Sequence, residues 1–265
     1  MSQSPILSKR LVAVCGKGGT GKTVFAAMTT RVLLESKKAG KLLLIDADPA
    51  MNLPNVLGVS VKRTMGQVRE EIINTARGGS KAEKAQLSDT LDYMVLEALN
   101  EMDDFALLAM GRTETLGCFC PVNDLLRGAI ETLSRSFDTI IVDGEAGLEQ
   151  LNRQVMRRVD TLVIVSDATS RGLRTAALIK GMVQNDRVIQ CEKMGLVFNR
   201  VQGSEKILQQ FAQETGLPVF GYIPYDETIA YHDLLGKPLT GAPTSPALAS
   251  VREIVQERIF SERFG

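Results

Sequence analysis

The chain has 265 residues, 44% of them hydrophobic and 23% charged, an ordinary globular composition with enough apolar mass for a substantial core. Its 31 Lys and Arg balance 31 Asp and Glu, so no global field draws it onto nucleic acid or an anionic membrane, and neither is expected as a partner. Four cysteines in a chain this long do not make the disulfide framework of a small secreted domain, which favours reduced thiols in a cytoplasmic protein.

Residues 1–10 are polar around a short Pro5-Ile6-Leu7 run and read as a flexible extension, the apolar stretch being too brief for a signal peptide. From residue 11 to 265 no repeat, low-complexity tract or linker divides the chain, which reads as one domain. Apolar runs at Leu11–Cys15, Leu42–Ile45, Phe105–Met110, Thr139–Val142, Thr161–Val165, Gly195–Phe198 and Pro218–Ile223 predict strands, with helical patterns between them. Unbroken apolar strands alternating with helices predict an α/β fold whose mostly parallel sheet is flanked by helices, with ligands at the strands' carboxyl ends. Ala76–Asp89, glycine-bearing and charged, reads as a surface excursion.

The first strand runs into Gly16-Lys17-Gly18-Gly19-Thr20-Gly21-Lys22-Thr23, a Gly-x4-Gly-Lys-Thr phosphate loop between a predicted strand and a predicted helix. Such a loop turns backbone amides onto phosphate oxygens at a helix N-terminus, so ATP or ADP with Mg2+ is the expected ligand. Lys22 is expected to reach the β- and γ-phosphates and Thr23 to give its hydroxyl to Mg2+. The second strand ends in Asp46-Ala47-Asp48-Pro49-Ala50-Met51-Asn52-Leu53, where the paired aspartates beside a phosphate loop make plain helix capping the weaker reading. Cys118-Phe119-Cys120-Pro121 follows the third strand. In extended chain both sulfurs point the same way, but a closed tetrahedral site needs four ligands. Pro121 suits the first position of a helix capped by Cys120, which would place the positive helix end near the sulfurs and favour thiolate.

Ile140-Ile141-Val142-Asp143 is an apolar strand ending in an aspartate, a Walker B arrangement in which Asp143 polarises a magnesium-bound water. Gly144–Arg153 then reads as the segment that senses nucleotide state. Asn199 and Arg200 end a later strand, and Pro224 with Tyr225 would form the opposing wall of a base site, a turn-forming asparagine being the plainer alternative for Asn199. Cys15, Cys191 and the lone His232 have no neighbouring ligands in sequence and read as structural.

The Lys-Gly-Gly-Thr-Gly-Lys-Thr string resembles the deviant Walker A motif of the MinD, ParA and nitrogenase iron-protein superclass. That resemblance implies a nucleotide-sandwich homodimer in which Lys17 crosses to the partner's nucleotide. It further implies that Asp48 orients or activates the attacking water, that Asp46 helps hold the magnesium shell, and that Asn199 reads adenine. Two copies of Cys118 and Cys120 would then complete one four-thiolate site for Ni2+ or Zn2+. Narrower still, Gly117-Cys118-Phe119-Cys120-Pro121 with Asn123 and Leu125-Leu126-Arg127, and Asp143-x-Glu-Ala-Gly-Leu-Glu149, resemble the CooC-type ATPases that mature nickel carbon monoxide dehydrogenase and their acetyl-CoA synthase relatives. The resemblance implies an ATP-dependent metallochaperone with such a client enzyme, although no histidine-rich nickel-storage tract is present. Two rival outputs share the fold: an iron-sulfur reductase like nitrogenase iron protein, and a spatial-organising ATPase like MinD or ParA.

Overall fold

The computed structural model describes residues 9–78, 90–112, 120–145, 148, 155–186, 188–203 and 205–264. Eight strands form one sheet: β1 (Arg10–Cys15), β2 (Leu42–Asp46), β3 (Leu99–Glu101), β4 (Ala106–Ala109), β5 (Thr139–Asp143), β6 (Arg158–Ser166), β7 (Gln190–Val201) and β8 (Val219–Pro224). Their order is β3-β4-β2-β5-β1-β6-β7-β8, parallel throughout except for β3 against β4. The chain builds one half of the sheet through β5 and then returns past β1 to build the other. The crevice of such a fold therefore lies at the carboxyl end of β1.

Burial on both faces is the physical reason that strands are legible as continuous apolar runs. In β2 no side chain from Leu42 to Ile45 is more than 1% exposed, although neighbours along the strand point to opposite faces. Leu42 and Leu44 pack with Val12 and Val14 beneath α1 (Lys22–Ser36), α2 (Asn52–Leu57), α8 (Glu227–Leu234) and α9 (Pro246–Ile254). Leu43 and Ile45 pack with Ala13 and Cys15 beneath α3 (Met65–Gly78), a helix at 90–97 (α4), α5 (Cys120–Ser134), α6 (Ser170–Gln184) and α7 (Glu205–Thr215). Each fully buried aliphatic side chain contributes roughly 1.5–3 kcal/mol, so the sheet is a rigid platform for the loops at its edge.

Several boundaries differ from the sequence expectation. Arg10 already belongs to β1 and Lys9 Nζ donates to the Ser134 carbonyl (2.7 Å), so the amino-terminal extension is shorter than residues 1–10; residues 1–8 lie outside the described residues. Helix α3 continues through Gly78, which takes Ala76–Gly78 out of the expected surface excursion, and residues 79–89 lie outside the described residues. Strand β3 was not expected: Asn100 places a polar side chain in the sheet, where its Oδ1 accepts the Lys62 N–H and its Nδ2 donates to the Ala98 and Leu107 carbonyls. The helical pattern over Pro246–Arg263 is α9, a π-helical turn Val255–Ile259 and α10 (Ser261–Phe264), with Leu248, Val251, Ile254, Val255 and Ile259 all in the core. Among the described residues no helix is long and apolar enough to cross a membrane.

Candidate functional site

The loop after β1 is forced into place by glycine. Gly16 has φ +139°, and a Cβ there would lie 2.1 Å from the Val165 carbonyl oxygen, so the chain leaves β1 against the end of β6 in a way no other residue permits. The loop closes on itself through the Lys17 carbonyl, which accepts Thr20 Oγ1 (2.9 Å) and Lys22 Nζ (3.2 Å). Helix α1 starts at Lys22 with Gly21 as its N-cap, no side-chain cap and no acidic residue in its first turn. Its first turn, uncapped by any side chain among the described residues, therefore turns the positive end of the helix dipole toward a cavity of about 560 Å3. Gly18, Gly19, Lys22, Thr23, Asp48, Asn52, Glu145 and Arg200 line that cavity, which brings together most of the predicted loop and switch residues.

Asp46 and Asp143 end adjacent parallel strands in register. Both are buried, and loss of solvent pushes each carboxyl up to about 7. They are held differently. Asp46 Oδ1 accepts the Asp48 N–H and Oδ2 the Leu53 N–H, each at 3.0 Å, so this side chain organises the Asp46–Leu53 turn and presents Asp48 and Asn52 to the cavity. Neither oxygen of Asp143 has a hydrogen-bond partner among the described residues. The Thr23 hydroxyl lies near enough to pull its pKa down, yet makes no bond of normal geometry. A buried carboxylate with unpartnered oxygens beside a helix-first-turn threonine fits a divalent cation that takes only one or two protein ligands and completes its shell with phosphate and water. Among the described residues no group of three or more His, Cys, Asp or Glu is placed to hold a metal ion alone.

A second cavity of about 330 Å3 adjoins the first, with Val24, Arg200 and Asp233 on both walls. Asn199, Pro224 and Tyr225 line it. Tyr225 is 45% exposed, and Asp226 fixes the turn behind it by accepting the Thr228, Ile229 and Ala247 amides. Asn199 itself is only 5% exposed, and its amide is bonded to the backbone.

Lys17 meets a carboxylate of the same chain. Its Nζ lies 3.1 Å from Asp167 Oδ2, with both side chains about one-third exposed. Thr169 Oγ1 donates to the other oxygen of that carboxylate (2.6 Å) while capping α6. Despite the opposing effect of burial, these bonds hold the Asp167 carboxyl below the usual aspartate range. Sequence reading did not single out Asp167, Asp233 or Lys237, which lines the phosphate cavity from the α8 side. A strand-end aspartate two residues before a threonine helix cap was the available signal for Asp167; Asp233 and Lys237 carry no local one.

Cys118 lies outside the described residues, as do the Cys120 side chain and most of Gly144–Arg153. Helix α5 opens at Cys120 and is fastened to α3 by Arg69 Nε donating to Asn123 Oδ1 (3.0 Å). Cys15 is buried in β1 with its thiol pushed up to about 12 by desolvation, and partial burial also raises Cys191.

Residues 11–239 match the CobQ/CobB/MinD/ParA nucleotide binding domain. The chain belongs to that family. An uncharacterised ATP-binding protein of Methanocaldococcus jannaschii is 37% identical over 255 residues, 96% of this chain and all of the relative. The carbon monoxide dehydrogenase accessory protein CooC of Rhodospirillum rubrum is 28% identical over 234 residues, 85% of this chain and 87% of CooC. The fold matches the septum site-determining protein MinD of Pyrococcus horikoshii in complex with Mg-ADP, with a TM-score of 0.67, 23% identity, and coverage of 96% of this chain and 97% of that one. These findings place a family nucleotide-binding domain on the same residues that carry the phosphate loop, Asp46 and Asp143.

Proposed function

We propose that this protein is a Mg2+-dependent ATPase that works as a homodimer and assists nickel insertion into a client enzyme, carbon monoxide dehydrogenase or acetyl-CoA synthase. The observation that carries the nucleotide half is the buried, unpartnered Asp143 carboxylate facing the uncapped start of α1. Thr23 and Asp143, with the shell that Asp46 supports, would hold Mg2+, which would neutralise charge on the phosphates. Gly16, Gly18, Gly19, Thr20 and Gly21 wrap the phosphates with backbone amides, and Lys22 swings from the Lys17 carbonyl to the β- and γ-phosphates. Asp48, on the turn organised by Asp46, orients the attacking water and accepts its proton. Arg200, Pro224 and Tyr225 line the nucleoside side of the site.

The metal half rests on Cys118 and Cys120 immediately before α5, in a chain that is 28% identical to CooC. Lys17 must leave Asp167 to reach a partner's nucleotide, which ties closure of the dimer to ATP. Closure brings two Cys-x-Cys pairs together around one Ni2+ or Zn2+, the transferred cargo. The likeness to MinD carries the fold, which a spatial-organising ATPase would share. The readings part at their outputs. Purified protein is mixed with Mg-ATP and Ni2+ or Zn2+ under reducing conditions and also sedimented with liposomes and DNA. Metal retention that needs Cys118 supports the metallochaperone. Strong ATP-dependent sedimentation without metal retention favours the MinD-like role, and a visible absorption band that bleaches with dithionite favours an iron-sulfur reductase.

A further inference from the structure

The sheet ends differently at its two edges. β3 closes one side with three residues, while β8 closes the other with six, Val219–Pro224, none of them charged and only the last a proline. A terminal strand leaves one row of backbone N–H and C=O groups without a strand partner, and such a row is commonly blunted by a charge or a proline on the strand, or covered. β8 instead lines a cavity of about 380 Å3 with Val219, Phe220, Gly221 and Tyr222. Helix α7 packs into the core on one face of the sheet and α9 into the core on the other, so the cavity runs between them along the edge. Its α7 wall carries Glu205, and the wall of α9 and the π-helical turn carries Glu253, Glu257 and Arg258. All four side chains are exposed, and among the described residues none of them makes an ion pair, so three carboxylates outweigh one guanidinium. The cations gather at the Phe220 end, where Lys193 Nζ donates to the Arg258 carbonyl (2.5 Å) and lies over the Phe220 ring. Glu205 stands at the Tyr222 end, near enough to join burial in raising that hydroxyl's pKa.

We infer that the β8 edge is a docking site for a short extended segment of a partner protein bearing Lys or Arg, which adds to the sheet as a further strand between α7 and α9. Backbone groups of β8 supply the affinity, and the carboxylates of the two walls select the basic side chains. The register of β8 against β7 shifts at two places, which twists the edge and keeps the added strand short. A second copy of this chain is the wrong occupant. Two β8 edges side by side would set the same carboxylates against each other, and like charges oppose that pairing. The cavity shares no lining residue with the two nucleotide cavities, so the inference stands apart from the nucleotide reading.

A short fluorescent peptide of alternating Lys and Val is titrated against the full chain, beside a Glu-Val counterpart and a Lys-Val peptide N-methylated at every residue, and amide hydrogen exchange locates the contact. The Lys-Val peptide is expected to bind saturably and to slow exchange across Val219–Ile223. N-methylation keeps the charge and removes the donors, and is expected to weaken binding by about tenfold or more. The double variant Glu253→Lys with Glu257→Lys is expected to weaken the Lys-Val peptide by about tenfold, with Tm unchanged because both side chains are exposed. Equal binding of the N-methylated or the Glu-Val peptide would overturn the inference, as would protection that falls outside β8. Protection of β8 that grows with protein concentration in the absence of peptide would overturn it in favour of self-pairing. No saturable binding of the Lys-Val peptide would overturn it outright.

Discussion

Lys17 Nζ lies 3.1 Å from Asp167 Oδ2 of the same chain, and Lys17 is the lysine proposed to cross a dimer interface. Partly exposed pairs of this kind contribute roughly 0.2–1 kcal/mol, small enough to be exchanged for a phosphate contact. Asp167→Asn is expected to strengthen ATP-dependent dimerisation about two- to fivefold, read by sedimentation velocity across protein concentration. Lys17→Ala is expected to abolish the ATP-dependent dimer. A weaker dimer in Asp167→Asn would mean that Asp167 works inside the closed state.

The paired carboxylates give a pH signature. Asp46 and Asp143 are both raised to about 7 from an unfolded value of 3.8, so between those limits the folded state holds more protons than the unfolded one. Stability from these groups therefore falls as pH rises through that window, the reverse of an ordinary salt-bridged aspartate. Without nucleotide, Tm is expected to drop from pH 5.5 to pH 7.5 by more in wild type than in Asp143→Asn. Mg-ATP binding near pH 7 is expected to release protons, seen as a buffer-dependent calorimetric enthalpy. Equal Tm shifts in the two proteins would contradict the burial argument.

Gly16→Ala puts a methyl group 2.1 Å from the Val165 oxygen at a φ that side chains avoid. Backbone strain of about 1–3 kcal/mol or loss of the loop geometry follows. A lower Tm and at least tenfold weaker ATP binding are expected at Gly16. The same change at Gly18, whose added methyl meets nothing within 4 Å, is expected to leave Tm nearly unchanged.

Nucleotide and metal functions separate by mutation. Cys118→Ala is expected to lose metal while keeping ATP affinity, and Lys22→Ala to lose at least tenfold in ATP affinity. Metal stoichiometry unchanged in Cys118→Ala, measured by elemental analysis, would remove the thiolate site from the account.

The fold was legible where its causes are local. β1, β2 and β5 are apolar because both faces are covered, and the glycines and Lys22 of the loop are spaced by the phosphate chemistry they serve. The first half of β7 was missed because Gln190–Lys193 is polar and partly exposed, extended only by pairing with β6. Asp167 was missed for a related reason: its partner Lys17 lies 150 residues away, and no spacing rule joins them. The bonds of Asn199 to the Thr20 carbonyl and the Arg200 N–H, which tie the end of β7 to the phosphate loop, were not legible either, because they span residues far apart in sequence or depend on the local turn.

In the proposed cycle ATP closes two chains around one shared metal site. Metal content measured together with oligomer mass, with and without Mg-ATP under reducing conditions, tests it most directly. A dimer with ATP that carries one metal ion per two chains is expected. A dimer that retains no metal, or one ion bound to each single chain, would contradict it.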